Sequence, residues 1–81
     1  MSNTVDSAAV TIRQLLASVL YVDPTEVPDD ATFVGLGLDS IIAVEFVANL
    51  RNAFPLAITV DEVYESATVP ALAARLIGKG A

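Results

Sequence analysis

One stretch near the middle of the chain decides the fold, and it reads Phe33-Val34-Gly35-Leu36-Gly37-Leu38-Asp39-Ser40-Ile41-Ile42. Gly35 and Gly37 free the backbone for a turn, since glycine adopts conformations that are closed to other residues. Ser40 stands where this turn passes into an apolar segment with helical spacing, and serine is a common helix N-cap. The stretch therefore predicts a glycine-containing loop that becomes a helix at a serine hydroxyl.

The helix that begins at Ser40 is predicted to extend to about residue 53. Apolar residues at helical spacing form its inward face, and they are Ala43, Phe46, Val47, Leu50 and Phe54. Pro55 ends the helix, because the residue before a proline is disfavoured in the helical conformation.

The outer sides of the same helix also carry apolar residues, which are Ile41, Ile42, Val44 and Ala48. Asp39 and Glu45 flank them. An apolar centre with a charged rim is typical of a protein docking surface. The alternative is that these residues pack against the third helix as ordinary core.

The rest of the chain predicts three more helices and one long loop. The first helix is expected at about 6–20, capped by Asp6 or Ser7, and an acidic loop at 22–39 is anchored in the core by Val27 and Phe33. A short third helix is expected at about 60–64, and a last one at about 69–77 with Thr68 as its N-cap. The buried residues predicted on the first and last helices are Val5, Ala8, Ile12, Leu15, Leu16, Val19, Leu72, Ala73 and Leu76. The predicted fold is all-α: a small four-helix bundle of three main helices and one short helix, forming a single domain over residues 1–81.

The charge of the chain is unevenly distributed. The formal net charge is −6, and from residue 23 to residue 65 nine acidic residues accompany a single base, Arg51. Such a surface excludes nucleic acid as a partner, because phosphates are bound by Lys and Arg. It favours a basic protein partner, whose approach the charge would steer. A solvated acidic face that serves solubility is the alternative.

The chain contains no cysteine and no histidine, which removes thiolate chemistry and the commonest general base and metal ligand. A serine nucleophile needs a base, and Lys79 lies far from Ser40 in sequence. We therefore expect no catalytic residues and no metal site. Ser40 is left as an N-cap or as the attachment point of a phosphate, which a helix start favours. The first residues do not predict a signal peptide, and the sequence has no apolar run of about 20 residues, so we expect a cytoplasmic protein that does not enter a membrane.

The pattern Phe-x-x-Leu-Gly-Leu-Asp-Ser over residues 33–40, followed by Ile-Ile-Ala-Val-Glu, resembles the 4′-phosphopantetheine attachment site of acyl carrier proteins. The resemblance covers nearly the whole chain, and the run 63–73 is similar to the end of polyketide-synthase carrier domains. It implies that Ser40 receives phosphopantetheine from coenzyme A, through a phosphopantetheinyl transferase that uses magnesium. The thiol of the arm would then hold an acyl group as a thioester. The implied function is that of an acyl carrier protein in polyketide-type biosynthesis. From the length and the initial methionine we expect a discrete protein rather than an excised domain, and we expect it to be monomeric.

The same resemblance implies which residues contact partner enzymes. They are Asp39, Ile41, Val44 and Glu45 on the second helix, and Asp61, Glu62 and Glu65 on the third. The implied partners are the transferase and acyltransferase, ketosynthase or acyl-loading enzymes with basic docking surfaces.

Two residues depart from the pattern of the family, and two alternative functions stay open. Arg51 stands where stand-alone fatty-acid carriers often have an acid, which argues against a fatty-acid role. Ala67 replaces a proline that is common in polyketide carriers, so the start of the last helix is expected to differ. Peptidyl carriers more often have Gly-Gly-Asp-Ser before the helix, yet a peptidyl or aminoacyl carrier stays open. So does a non-carrier acidic interaction module in which Ser40 is only a cap.

Overall fold

The computed structural model describes residues 4–80, and it confirms the all-α fold. Four helices follow one another along the chain: α1 (Val5–Leu20), α2 (Ser40–Ala53), α3 (Val60–Ser66) and α4 (Val69–Gly78). Three of them lie within one residue of their predicted bounds, while α3 continues two residues beyond the expected end. None of the helices in this part of the chain has the length and apolar character needed to cross a membrane.

Each helix begins at a side chain that accepts a hydrogen bond from its own first turn. The N-caps are Thr4, Asp39, Thr59 and Thr68. The prediction that Asp6 or Ser7 caps α1 is wrong, because the hydroxyl of Thr4 accepts the Ser7 N–H at 3.1 Å and the helix begins at Val5. Asp6 lies inside the first turn, where its charge favours the positive end of the helix dipole.

The helices pack around one apolar core. Helix α1 packs against α2 and α4, and α3 packs against the same two helices. The fully buried large side chains are Ile12, Leu16, Val27, Phe33, Phe46, Leu50, Ile58, Val63, Val69, Leu72 and Leu76. Two expectations need correction on α1: Val5 is exposed and Leu15 is only half-buried, whereas Ala17 is buried in the core.

A cavity lies at one end of the bundle, and Ser40 lies at the other. A cavity of about 400 Å³ is lined by Ser7 of α1, Ala53 of α2 and Ile77 of α4, among others. The start of α1 therefore lies beside the ends of α2 and α4. Since α2 rises about 21 Å over its 14 residues, Ser40 stands at the opposite end of the bundle from this cavity.

The acidic loop is more ordered than the sequence predicted. It contains a 3₁₀ turn, Pro24–Glu26, closed by a capping box in which the Glu26 carboxylate accepts the Asp23 N–H at 2.9 Å. The Asp23 carboxylate accepts the Thr25 N–H at 2.9 Å, and this hydrogen bond lowers the pKa of Asp23 below its ordinary value. Val27 and Phe33 are buried as predicted. The guanidinium of Arg13 donates to the Val27 carbonyl at 2.9 Å, so it ties the loop to α1.

Candidate functional site

Ser40 is the first residue of α2, and its side chain is exposed. The N-cap is Asp39, whose carboxylate accepts the Ile42 N–H at 2.9 Å. The interpretation of Ser40 as an N-cap is therefore wrong, since Asp39 takes that place one residue earlier. Within residues 4–80 the Ser40 hydroxyl makes no hydrogen bond, so nothing in the described chain competes for it.

The segment that leads to Ser40 is folded around Phe33. The Phe33 carbonyl accepts the N–H groups of Leu36 at 3.2 Å and Leu38 at 3.0 Å. The Phe33 ring meets the edge of Phe46 on α2, with ring centroids 5.9 Å apart. Leu38 is buried immediately before Asp39. Ser40 therefore follows a short segment that is fixed at both ends by the core.

The two glycines of this segment have different roles. Gly37 has a φ of 103°, a conformation that glycine adopts without strain and other residues resist. Gly35 donates its N–H to the Thr32 hydroxyl at 3.0 Å, and a Cβ added at Gly35 would lie 2.7 Å from that oxygen. One glycine is needed for backbone conformation and the other for close approach.

Of the apolar residues predicted on the outer side of α2, Ile41, Val44 and Ala48 are exposed, whereas Ile42 is half-buried and packs against the core. Ile41 is 79% exposed and Val44 is 61% exposed, and the exposed Glu45 follows them. Val34, which the sequence analysis did not single out, is 66% exposed in the loop before Ser40. The sequence signal for the exposure of Val34 is its position between Phe33, which is predicted to be buried, and Gly35. We call Ile41, Val44 and Glu45 the α2 strip.

The three acidic residues predicted for partner contact on α3 have different surroundings. Asp61 and Glu65 are exposed, although Glu65 also accepts a hydrogen bond from Arg75 at 3.0 Å. The side chain of Glu62 is only 19% exposed. Its carboxylate accepts the Thr59 N–H and forms an ion pair with Lys79, the C-cap of α4. Glu62 therefore links the start of α3 to the end of α4. Asp61 and Glu65 are the acidic residues of α3 that face solvent.

All four basic side chains of the protein are used within the bundle. Arg75 and Lys79 pair with acids of α3, Arg13 pairs with Asp29 of the acidic loop, and Arg51 donates to the Ile58 carbonyl at 2.9 Å. The sequence has no histidine and Lys79 is paired with Glu62, so no imidazole and no free lysine amine of the chain is available to activate the Ser40 hydroxyl. The arrangement suits a hydroxyl that is modified by another protein.

Glu62 makes the fold sensitive to acid. The hydrogen bond from Lys79 lowers the pKa of Glu62 below its ordinary value of 4.5. A lowered folded-state pKa contributes stability above the ordinary value, and this stability is lost as the pH falls through the folded-state pKa. We expect Glu62→Gln to be less stable than the wild type at pH 7, and the difference to shrink toward pH 3. Urea unfolding at several pH values measures this, because urea does not screen charges.

The neighbouring Asp61 provides the control for that experiment. Asp61→Asn removes the same charge from an exposed side chain that forms no ion pair with any residue in 4–80. Glutamine at position 62 keeps the capping box, so the comparison isolates the charge. Equal pH dependence in the wild type and in Glu62→Gln would contradict the role assigned to the ion pair.

Comparisons with known proteins agree on one family. A family model described as "Phosphopantetheine attachment site" matches residues 10–76. The polyketide synthase ThaG of Burkholderia thailandensis is 42% identical over 66 residues, 82% of this chain. Nonribosomal peptide synthetase 5 of Gibberella zeae is 36% identical over 72 residues, 89% of this chain. The chain spans about 1% of the length of each of these relatives.

Solved structures show the same architecture. A free-standing peptidyl carrier protein from an Acinetobacter baumannii secondary metabolic pathway superimposes with a TM-score of 0.90 at 27% identity, over 95% of this chain and 96% of that one. The HMG-ACPI domain from the CurA module of Lyngbya majuscula gives a TM-score of 0.89 at 27% identity, over 95% and 78% of the two chains.

Proposed function

Because the chain belongs to the phosphopantetheine attachment family, whose domains carry covalently bound 4′-phosphopantetheine, we propose that Ser40 is the residue to which this group is attached. The observation that supports the proposal is that Asp39, and not Ser40, caps α2. The adjacent Ser40 hydroxyl is therefore exposed and makes no intramolecular hydrogen bond within residues 4–80.

The surroundings of Ser40 fit a phosphodiester. The N–H groups of Ser40 and Ile41 lie in the first turn of α2, where no intrahelical acceptor exists. Such groups and the helix dipole favour a negatively charged phosphate. When bound, the arm supplies a thiol that holds an acyl group as a thioester. The chain contributes the hydroxyl and its placement, and a phosphopantetheinyl transferase contributes the base and the metal ion.

The domain is thus a carrier that is modified by an enzyme and presents cargo to others. We propose that partners dock on the α2 strip, with Asp39, Asp61 and Glu65 as the surrounding acidic rim. Exposed apolar side chains surrounded by charge are typical of such interfaces. The family match sets aside the alternative of a non-carrier interaction module.

The type of cargo is the finer part of the proposal. We favour a polyketide-type acyl carrier, supported by the Leu-Gly-Leu-Asp-Ser sequence and by the 42% identity with ThaG. A peptidyl carrier is the second candidate, supported by the Gibberella zeae relative and the Acinetobacter baumannii structure. Loading assays on the modified protein separate the two: acyl-transferring enzymes charge the first kind of carrier, and aminoacyl-adenylating enzymes charge the second.

Charge reversal on the α2 strip tests the docking surface. We expect Glu45→Lys to raise the KM of the transferase for this protein roughly tenfold at low salt, since steering by opposite charges is lost. The difference should shrink as salt rises, because exposed charges are screened over about 10 Å at 0.1 M. Steady-state kinetics at two salt concentrations measure both effects.

The control for this experiment is Asp6→Lys, which makes the same charge change at the opposite end of the bundle. We expect it to leave KM within about twofold. Glu45→Lys should also change the free energy of unfolding by no more than about 0.5 kcal/mol, as is usual for surface substitutions. An equal rise in KM for both variants would show that net charge acts rather than this surface.

A further inference from the structure

The end of α1 is closed by a residue in a left-handed backbone conformation. Tyr21 has φ 58° and ψ 42°. Its N–H donates to the Ser18 carbonyl at 3.3 Å, and the Val22 N–H donates to the Ala17 carbonyl at 3.0 Å. These two hydrogen bonds form a Schellman motif, in which glycine usually takes the left-handed position because a Cβ is disfavoured there. A tyrosine therefore stands where the backbone favours glycine.

The side chain of Tyr21 does not compensate for this conformation within the fold. It is 91% exposed, the highest value among the exposed large hydrophobic residues of the described chain. An aromatic ring stabilises a fold through the area that it buries, and this ring buries very little. A residue that goes against the local backbone preference without a gain in packing points to a role outside the fold.

Tyr21 lies at the end of the bundle that carries Ser40. Helix α1 begins beside the cavity at the opposite end, and it rises about 24 Å over its 16 residues. The longest extent of the bundle is 30 Å, so α1 reaches the other end. The two shorter extents are 23 Å and 19 Å, and they bound the end that Ser40 and Tyr21 share.

An enzyme that modifies Ser40 covers much of this end. A specific interface typically buries roughly 800 Å² on each partner and involves about 20–30 residues a side, many more than the α2 strip and its acidic rim provide. The residues that follow Tyr21 are also acidic, since Asp23, Glu26 and Asp30 are exposed. A basic enzyme surface that is complementary to the α2 strip is therefore complementary to this region as well.

We propose that the ring of Tyr21 is a second apolar contact for the phosphopantetheinyl transferase, in addition to the α2 strip; this inference rests on the proposed attachment at Ser40. Tyrosine is among the residues that contribute most to binding when they fill a pocket of the partner. One contact lies on the helix that Ser40 begins, and the other lies at the end of α1, which packs against that helix. Tyr21 does not touch the reacting atoms, so it acts on affinity rather than on the chemical step.

Tyr21→Gly tests the proposal, because it removes the ring and relieves the backbone at the same time. We expect the KM of a broad-specificity phosphopantetheinyl transferase for this variant to rise at least about fivefold, with kcat within about twofold of the wild type. We also expect the midpoint of urea unfolding to move to a higher concentration, since glycine adopts the left-handed conformation freely. The variant is then more stable than the wild type and yet a poorer substrate. Intact mass follows the modification, and circular dichroism follows unfolding.

Two further variants serve as controls. Tyr21→Phe keeps the ring, so we expect its KM to lie within about twofold of the wild type and its unfolding midpoint to be unchanged. Val10→Ala truncates another exposed apolar side chain of α1, about 16 Å before Tyr21 along the helix. Its KM should also lie within about twofold of the wild type. None of these variants changes the net charge, so electrostatic steering is the same in all of them.

Three results would overturn the proposal. A KM for Tyr21→Gly within about twofold of the wild type would show that the enzyme does not bind the ring. An equal rise in KM for Val10→Ala would show that the effect does not belong to this end of the bundle. A lower unfolding midpoint for Tyr21→Gly would show that the ring stabilises the bundle itself. Failure of the wild type to be modified would count against attachment at Ser40 instead.

Discussion

We expect Ser40→Ala to abolish the addition of phosphopantetheine to this protein. The wild type, coexpressed with a broad-specificity transferase, should gain the mass of one phosphopantetheine group, and the variant should keep its unmodified mass. The substitution removes the exposed hydroxyl while Asp39 still caps α2. Alanine is the best helix former, so the fold is retained. Intact-mass spectrometry measures the modification, and circular dichroism verifies the fold.

Ser7→Ala is the matched control for this result. Ser7 is also an exposed serine in the first turn of a helix, but it lies at the opposite end of the bundle. Ser7→Ala should be modified as completely as the wild type. Modification of Ser40→Ala would place the attachment elsewhere, and an unmodified wild type would remove the carrier function itself.

The largest expected loss of stability comes from Phe33→Ala. Phe33 is fully buried, its ring packs against Phe46, and its backbone organises the segment before Ser40. Replacing a buried phenylalanine with alanine costs about 3–5 kcal/mol. A small domain has only about 5–15 kcal/mol in total. We therefore expect a large part of the population to be unfolded at 37 °C, as urea and thermal unfolding would show.

Val34→Ala is the control for the Phe33 substitution, because it truncates the next side chain in the same segment. Val34 is mostly exposed, and we expect a change within about 0.5 kcal/mol. Similar losses for the two variants would mean that the segment contributes as a whole rather than through the buried ring. A loss below about 1 kcal/mol for Phe33→Ala would contradict its role as the anchor.

The sequence predicted the helices well because their signals are local. Leu72, Ala73 and Leu76 repeat at helical spacing after Thr68, and all three are buried. The exact caps were harder to predict where several capping residues are adjacent. Asp39 and Ser40 are both good caps, and only the backbone geometry shows that the aspartate takes this role.

The parts of the site that the sequence did not predict depend on contacts between distant residues. Glu62 is predicted to face partners, yet it pairs with Lys79, which caps the end of α4. Ile58 stands in a short β-prone run between α2 and α3, and it is fully buried in the core, with its carbonyl accepting a hydrogen bond from Arg51. Spacing along one helix carries no information about such pairs, since they depend on how the helices meet.

The pairing of three of the four basic side chains with acids of the same bundle has a consequence for copies of this domain that stand near one another. Because Arg13, Arg75 and Lys79 are paired in this way, each copy shows its neighbours a predominantly negative surface. Two copies closer than about 10 Å at 0.1 M salt repel each other, and net charge of this kind keeps proteins apart in solution. The charge that attracts a basic enzyme to the α2 strip thus also keeps an identical domain from occupying it.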